Sequence, residues 1–117
     1  VRFVEPQIAD VEISGPRIIK AGSPAEFQLQ ITFMGKPYPE KDLEFVRYML
    51  FDSRGELVEL DNPKPVGDGT WRIALESKQT ARLSSGSNRL ELAVTSRVVA
   101  MPSFRTFRFV TVRQELN

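Results

Sequence analysis

Three closely spaced serines, Ser84, Ser85 and Ser87, and the adjacent pair Ser77-Lys78 are the residues of this sequence that could supply a nucleophile. A serine hydroxyl attacks only after a base has taken its proton. The chain contains no histidine, so the usual proton acceptor near neutral pH is missing. Neighbouring residues such as Ser77 and Lys78 seldom face each other as a Ser-Lys pair must. The three serines therefore read as a turn ahead of a strand, where Ser and Gly are favoured.

Carboxylate pairs could do acid and base work on a glycoside, and the local clusters are Glu40, Asp42 and Glu44, and Glu56 with Glu59. That chemistry needs two carboxyl groups held across an enclosed cleft, which a small β domain rarely keeps, so they read as solvated loop charges. Calcium takes six to eight oxygen ligands. Asp61-Asn62-Pro63 and Gly67-Asp68-Gly69 offer a few, in a spacing that matches no calcium loop, and a tight turn already accounts for Asp68 and both glycines. Trp71 and Tyr38 could stack on a sugar ring. Trp71 alternates with polar neighbours and is expected in the core, whereas Tyr38, between Pro37 and Pro39, is expected on a stiffened loop able to touch a partner domain. The apolar run Val98-Val99-Ala100-Met101-Pro102 joins two strands; left uncovered it would mark a docking surface. Tyr38, Val99 and Met101 are thus the expected interaction residues. No catalytic, cofactor-binding or metal-binding residue is assigned, and no cofactor is expected.

Composition narrows the function classes further. Sixteen Lys and Arg balance 15 Asp and Glu, a net charge of +1, so no strong field draws nucleic acid or an anionic membrane. Cysteine is absent, which removes disulfides, thiol chemistry and cysteine-based metal sites. The chain is expected not to be an enzyme. It opens on Val1 with no signal-peptide pattern and no long apolar span, and is expected to be a piece of a larger protein without membrane insertion of its own. At 117 residues it suits one domain spanning positions 1–117.

The elements that would carry these residues are strands. Phe27, Leu29, Ile31 and Phe33 alternate with Glu26, Gln28, Gln30 and Thr32, the pattern of a half-buried strand. The same period runs through Trp71, Ile73 and Leu75, and through Leu90, Leu92 and Val94. Residues 45–51 are apolar on both parities except Arg47 and read as a central strand. Residues 104–112, rich in aromatic and β-branched side chains, read as the last strand. Residues 8–14 supply a first strand, with Ile8 or Val11 and Ile13 inward, and residues 57–60 a short one. Gly15-Pro16, Gly22-Ser23-Pro24, Gly35-Lys36-Pro37, Gly67-Asp68-Gly69 and Ser84-Ser85-Gly86-Ser87 punctuate them as turns. Residues 76–83 have room for one helical turn, with Ser77 as its cap. The expected core is Phe27, Leu29, Ile31, Tyr48, Leu50, Trp71, Ile73, Leu90, Leu92, Val94 and Phe107. About seven strands with turns roughly every 8 to 12 residues predict an all-β, immunoglobulin-like or fibronectin III-like antiparallel sandwich.

A family resemblance extends over nearly the whole chain. Ile13-Ser14-Gly15-Pro16, Ala21-Gly22-Ser23-Pro24-Ala25, Gly35-Lys36-Pro37-Tyr38-Pro39 and Val46-Arg47-Tyr48-Met49-Leu50-Phe51-Asp52 are similar to the C-terminal domain of archaeal and bacterial extracellular solute-binding proteins of peptide-type ABC transporters. Gly67-Asp68-Gly69-Thr70-Trp71, Ser85-Gly86-Ser87-Asn88-Arg89-Leu90-Glu91 and Val99-Ala100-Met101-Pro102-Ser103-Phe104 continue the likeness. These are turn and core residues, so the resemblance carries over no binding residue. It implies a membrane-anchored receptor whose two lobes, not contained here, take up peptide or sugar outside the cell and pass it to a permease. This chain would then be an extracellular accessory or spacer domain, its partners the neighbouring domains and the permease complex. The alternative is a carbohydrate-binding or adhesive module of a surface protein. The two separate over aromatics, since a sugar binder needs Trp71 or Tyr38 exposed and a spacer keeps Trp71 buried.

Overall fold

The computed structural model describes residues 9–97 and 103–113. Val99 and Met101, with the rest of the apolar run 98–102, lie outside the described residues, as does Ile8.

The chain runs β1 (Asp10–Ser14), β2 (Ile18–Lys20), β3 (Ala25–Phe33), β4 (Lys36–Pro37), a 3₁₀ turn (Glu40–Asp42), β5 (Leu43–Phe51), β6 (Leu57–Asp61), β7 (Lys64–Gly67), β8 (Thr70–Leu75), α1 (Ser77–Thr80), β9 (Gly86–Ser96) and β10 (Ser103–Val112). Two sheets form, one ordered β1-β3-β8-β7 with β4 added to β3, the other β2-β10-β9-β5-β6. The all-β immunoglobulin-like sandwich read from the alternation is the fold. Three short strands escape that reading, because β2, β4 and β7 have three, two and four residues, too few for a period to show.

The ladders are antiparallel except β2 with β10, where Val110 pairs Ile18 and Val112 pairs Lys20 in parallel. The exception follows from Gly15-Pro16. Proline has no N–H to donate and a fixed φ, so it ends the ladder that β1 makes with β3. The chain then crosses to the other sheet, and Arg17 O accepts a hydrogen bond from Val110 N at 2.7 Å. Gly15 fits the crossing because of space: a Cβ there would come within 2.5 Å of the Phe27 ring.

The core lies between the sheets. Phe27, Leu29 and Ile31 of β3 and Ile73 and Leu75 of β8 face Val46, Tyr48 and Leu50 of β5, Leu90, Leu92 and Val94 of β9, and Phe107 and Phe109 of β10. Phe27 meets Phe107 edge-on with centroids 5.7 Å apart and lies tilted against Phe109 at 5.3 Å. Such side chains contribute about 1.5 to 3 kcal/mol each on burial. Trp71 departs from expectation: it packs against the core but stays only partly buried, because it sits at the start of β8, beside the open β7–β8 turn. The helical turn is also capped differently. Glu76 precedes α1, and its N–H donates to Gln79 Oε1 at 2.7 Å, an N-terminal closure that needs a long side chain at the third helical position; Ser77 is the first helical residue.

Candidate interaction faces

The serines are placed by turns. Ser84 Oγ lies 2.6 Å from Ser53 Oγ, which donates to the Ser85 carbonyl at 3.3 Å, so the hydroxyls tie two loops at one end of the sandwich. Lys78 Nζ lies 3.4 Å from Glu76, and the Ser77 carbonyl lies 3.2 Å from Thr80 Oγ1. The carboxylates do not converge. Glu40 and Asp42 lie in the 3₁₀ turn, Glu56 is 3.9 Å from Arg54, and Glu59 is 3.9 Å from Arg82. Asp52, which the sequence did not single out, is buried yet satisfied: its Oδ1 accepts from Arg54 N at 2.9 Å and Glu56 N at 3.0 Å and shapes the β5–β6 hairpin.

Asp61 ends β6, whereas Asp68 sits in the β7–β8 turn. Asp61 Oδ1 accepts from Asn62 N at 2.8 Å. Gly67, Asp68 and Gly69 have φ of 101°, 51° and 75°, a run of left-handed backbone that Gly, and less readily Asp, can adopt. Among the described residues no group of three or more His, Cys, Asp or Glu is placed to hold a metal ion. No helix among them is long and apolar enough to cross a membrane.

Tyr38 does not lie on the surface. Its N–H donates to the Ile31 carbonyl at 2.9 Å, which holds the Pro37-Tyr38-Pro39 segment against β3 and turns the ring inward. It is 4% exposed, and its hydroxyl lies 2.7 Å from Ser96 Oγ. Around it, Pro37, Pro39, Pro65, Glu40, Asp68 and Trp71 line a cleft of about 240 Å³. A second cleft, about 250 Å³, lies between the sheets at the edge made by β6 and β7 and is lined by Tyr48, Asp61, Arg72 and Glu76 among others. Burial pushes the Tyr48 phenol up from 10.0 to about 12, with the charges of Asp61 and Glu59 adding to the shift.

The two outer faces of the sandwich differ in chemistry. On the β1-β3-β8-β7 sheet the outward residues are mostly polar, among them Asp10, Glu12, Glu26, Gln28, Gln30 and Arg72, with Arg72 paired to Glu26 at 3.6 Å, and its exposed apolar residues include Ala74 and Val66. The outer face of the other sheet carries Phe45 and Met49 of β5, Leu60 of β6, and Phe104 and Val110 of β10. Seven of the nine large exposed apolar residues described in the chain belong to this second sheet, Phe104 at 70% and Ile18 at 67% foremost. Sequence reasoning missed this face. Its signal was the run 45–51, apolar on both parities, which suits a strand with apolar surroundings on both sides.

No family model and no curated protein sequence matches the chain. Solved structures do. The superoxide reductase (neelaredoxin) of Ignicoccus hospitalis superposes with a TM-score of 0.62 at 11% identity, covering 89% of this chain and 82% of that one. The Lin-41 filamin domain gives 0.54 at 16% identity, covering 89% and 93%. The CARDB domain of the PF1109 protein from Pyrococcus furiosus, solved in complex with di-metal ions, gives 0.55 at 15% identity, covering 95% and 100%. At such identities the likeness is one of fold: the chain has the immunoglobulin-like β-sandwich that filamin and CARDB domains share.

Proposed function

We propose that this chain is a non-catalytic accessory domain of an extracellular, membrane-anchored receptor, acting by packing against and spacing its neighbours. The observation that carries this reading is the inequality of the two outer faces: one largely polar, the other an apolar and aromatic surface of the kind that marks a docking site. The resemblance of its turn and strand segments to solute-binding proteins of peptide-type ABC transporters supports the finer assignment, in which the domain stands between the ligand-binding lobes and the surface anchor. Hydroxyl-radical footprinting of the full-length parent against the isolated domain tests the docking role. Met49 and Phe104 are expected to be protected in the parent, while Met34, 80% exposed on the β3–β4 turn, stays equally reactive; equal oxidation of all three overturns it. For the finer assignment, deleting the domain is expected to leave solute affinity unchanged and to impair uptake.

A second reading, a carbohydrate-binding or adhesive module, is favoured by one observation: the partly buried Trp71 beside three prolines and the carboxylates of Glu40 and Asp68. Trp71 is the only tryptophan, so its fluorescence reports a stacked sugar directly. A saturable shift on titration with oligosaccharides, lost in Glu40→Ala, would favour this reading, and an unchanged spectrum would dismiss it.

A further inference from the structure

We propose that the outer face of the β2-β10-β9-β5-β6 sheet receives a protein surface that is apolar at its centre and bears carboxylates around it, a proposal that rests on the docking reading above. The ladder registers set out the face in rows. Leu60, Met49, Glu91 and Thr106 lie side by side, then Leu57, Phe51, Arg89 and Arg108, then Arg47, Ala93 and Phe104. Apolar side chains and arginines therefore share one surface.

The arginines decide the partner. Arg47 lies over the Phe45 ring at 5.2 Å and Arg89 over Phe51 at 4.3 Å, with Arg89 Nε also 3.0 Å from Glu91 Oε1. A guanidinium over an aromatic ring keeps N–H groups at its edge for carboxylates, and Arg89 already uses its Nε on Glu91 in this way. Arg108 adds a third cation on β10. With Lys20 of β2, these arginines outnumber Glu91 and give this face an excess of positive charge. A second copy docked face to face would oppose positive charge with positive charge, a juxtaposition that costs affinity. The polar face of another copy has carboxylates at Asp10, Glu12 and Glu26 but no apolar centre to match Phe104 and Leu60. A polyanion would answer the charge but not the apolar rows, and the chain as a whole is at +1. The complementary surface is thus apolar, acidic and belongs to a different domain or protein.

The test is photo-crosslinking in the full-length parent protein in intact cells, with a photoreactive phenylalanine analogue placed at position 45 or 104, and at position 28 on the opposite face as control. The expected adduct from 45 and 104, and not from 28, is a peptide from outside this domain with Asp or Glu flanking apolar residues. Arg47→Glu combined with Arg108→Glu is expected to cut adduct yield at least tenfold without moving the thermal midpoint, and replacing the captured carboxylates with arginine to restore it. An adduct with a second copy of this face, or with nucleic acid or polysaccharide, overturns the proposal. A captured peptide without carboxylates removes the partner chemistry alone and leaves the docking reading standing. Absence of any adduct from 45 and 104 removes both.

Discussion

The Tyr38 hydroxyl lies 2.7 Å from Ser96 Oγ across the interior of the sandwich, joining two residues 58 positions apart in the chain. Tyr38 belongs to the segment that leaves β4, on one sheet, whereas Ser96 ends β9 on the other. Ser96 Oγ also donates to the Asp42 carbonyl at 3.2 Å, and Arg97 N donates to the same oxygen at 2.7 Å. The crossover between the sheets is therefore pinned at both its start and its end.

Removing the hydroxyl alone, Tyr38→Phe, should lower stability by about 1 kcal/mol, the usual net value of a buried hydrogen bond. Tyr38→Ala should lose about 3 to 5 kcal/mol, since the ring is also core. Chemical denaturation checks both, and a double-mutant cycle with Ser96→Ala should show coupling rather than additivity.

Alkaline stability should depend on Tyr48. Its folded pKa of about 12 lies above the ordinary 10.0, so between these values the unfolded chain gives up a proton that the folded chain keeps. The stabilisation is fully present below pH 10 and is lost as pH rises through 12, on the order of 3 kcal/mol in all. Denaturant midpoints measured from pH 9 to 12 should fall less steeply in Tyr48→Phe than in the parent sequence.

Two glycine-to-alanine substitutions should fail for different reasons. At Gly15 the backbone is ordinary and the new methyl would press chiefly on the Phe27 ring, at 2.5 Å, with the Glu26 carbonyl oxygen at 3.3 Å, so pairing Gly15→Ala with Phe27→Leu should recover part of the loss. Gly69 has φ +75°, and its Cβ would lie 2.9 Å from the Ile31 carbonyl oxygen, whose own N–H donates to Gly69 O at 2.8 Å. Backbone cannot be trimmed, so Gly69→Ala should cost more, above about 1 to 2 kcal/mol of left-handed strain, with no single rescue.

Thr80 is fully buried and ties α1 to the turn at Gly22-Ser23. Its Oγ1 accepts from Gly22 N at 3.0 Å and donates to Ser23 O at 2.8 Å. Thr80→Val keeps the shape but strands the Gly22 amide, and should cost about 1 to 3 kcal/mol. Amide exchange at Gly22 should accelerate in the same variant, a local readout that general destabilisation would not single out.

Alternation along Phe27, Leu29 and Ile31, along Ile73 and Leu75, and along Leu90, Leu92 and Val94 was enough to establish the strands, their inward faces and so the sandwich, because side-chain direction in a strand has period two whatever lies opposite. Glycine and proline marked the turns for a similarly local reason. What needed the tertiary structure were matters of partnership. Tyr38, flanked by prolines, has the local sequence of an exposed loop, yet β3 supplies the carbonyl that draws it inside. Trp71 alternates as a core residue and packs against the core, yet its place beside the β7–β8 turn leaves it only partly buried. The apolar outer face exists only once β5, β6, β9 and β10 lie side by side, since Phe45, Leu60 and Phe104 come from three separate strands. Periodicity is a property of one segment and can be read there, whereas burial across two sheets depends on which segments meet.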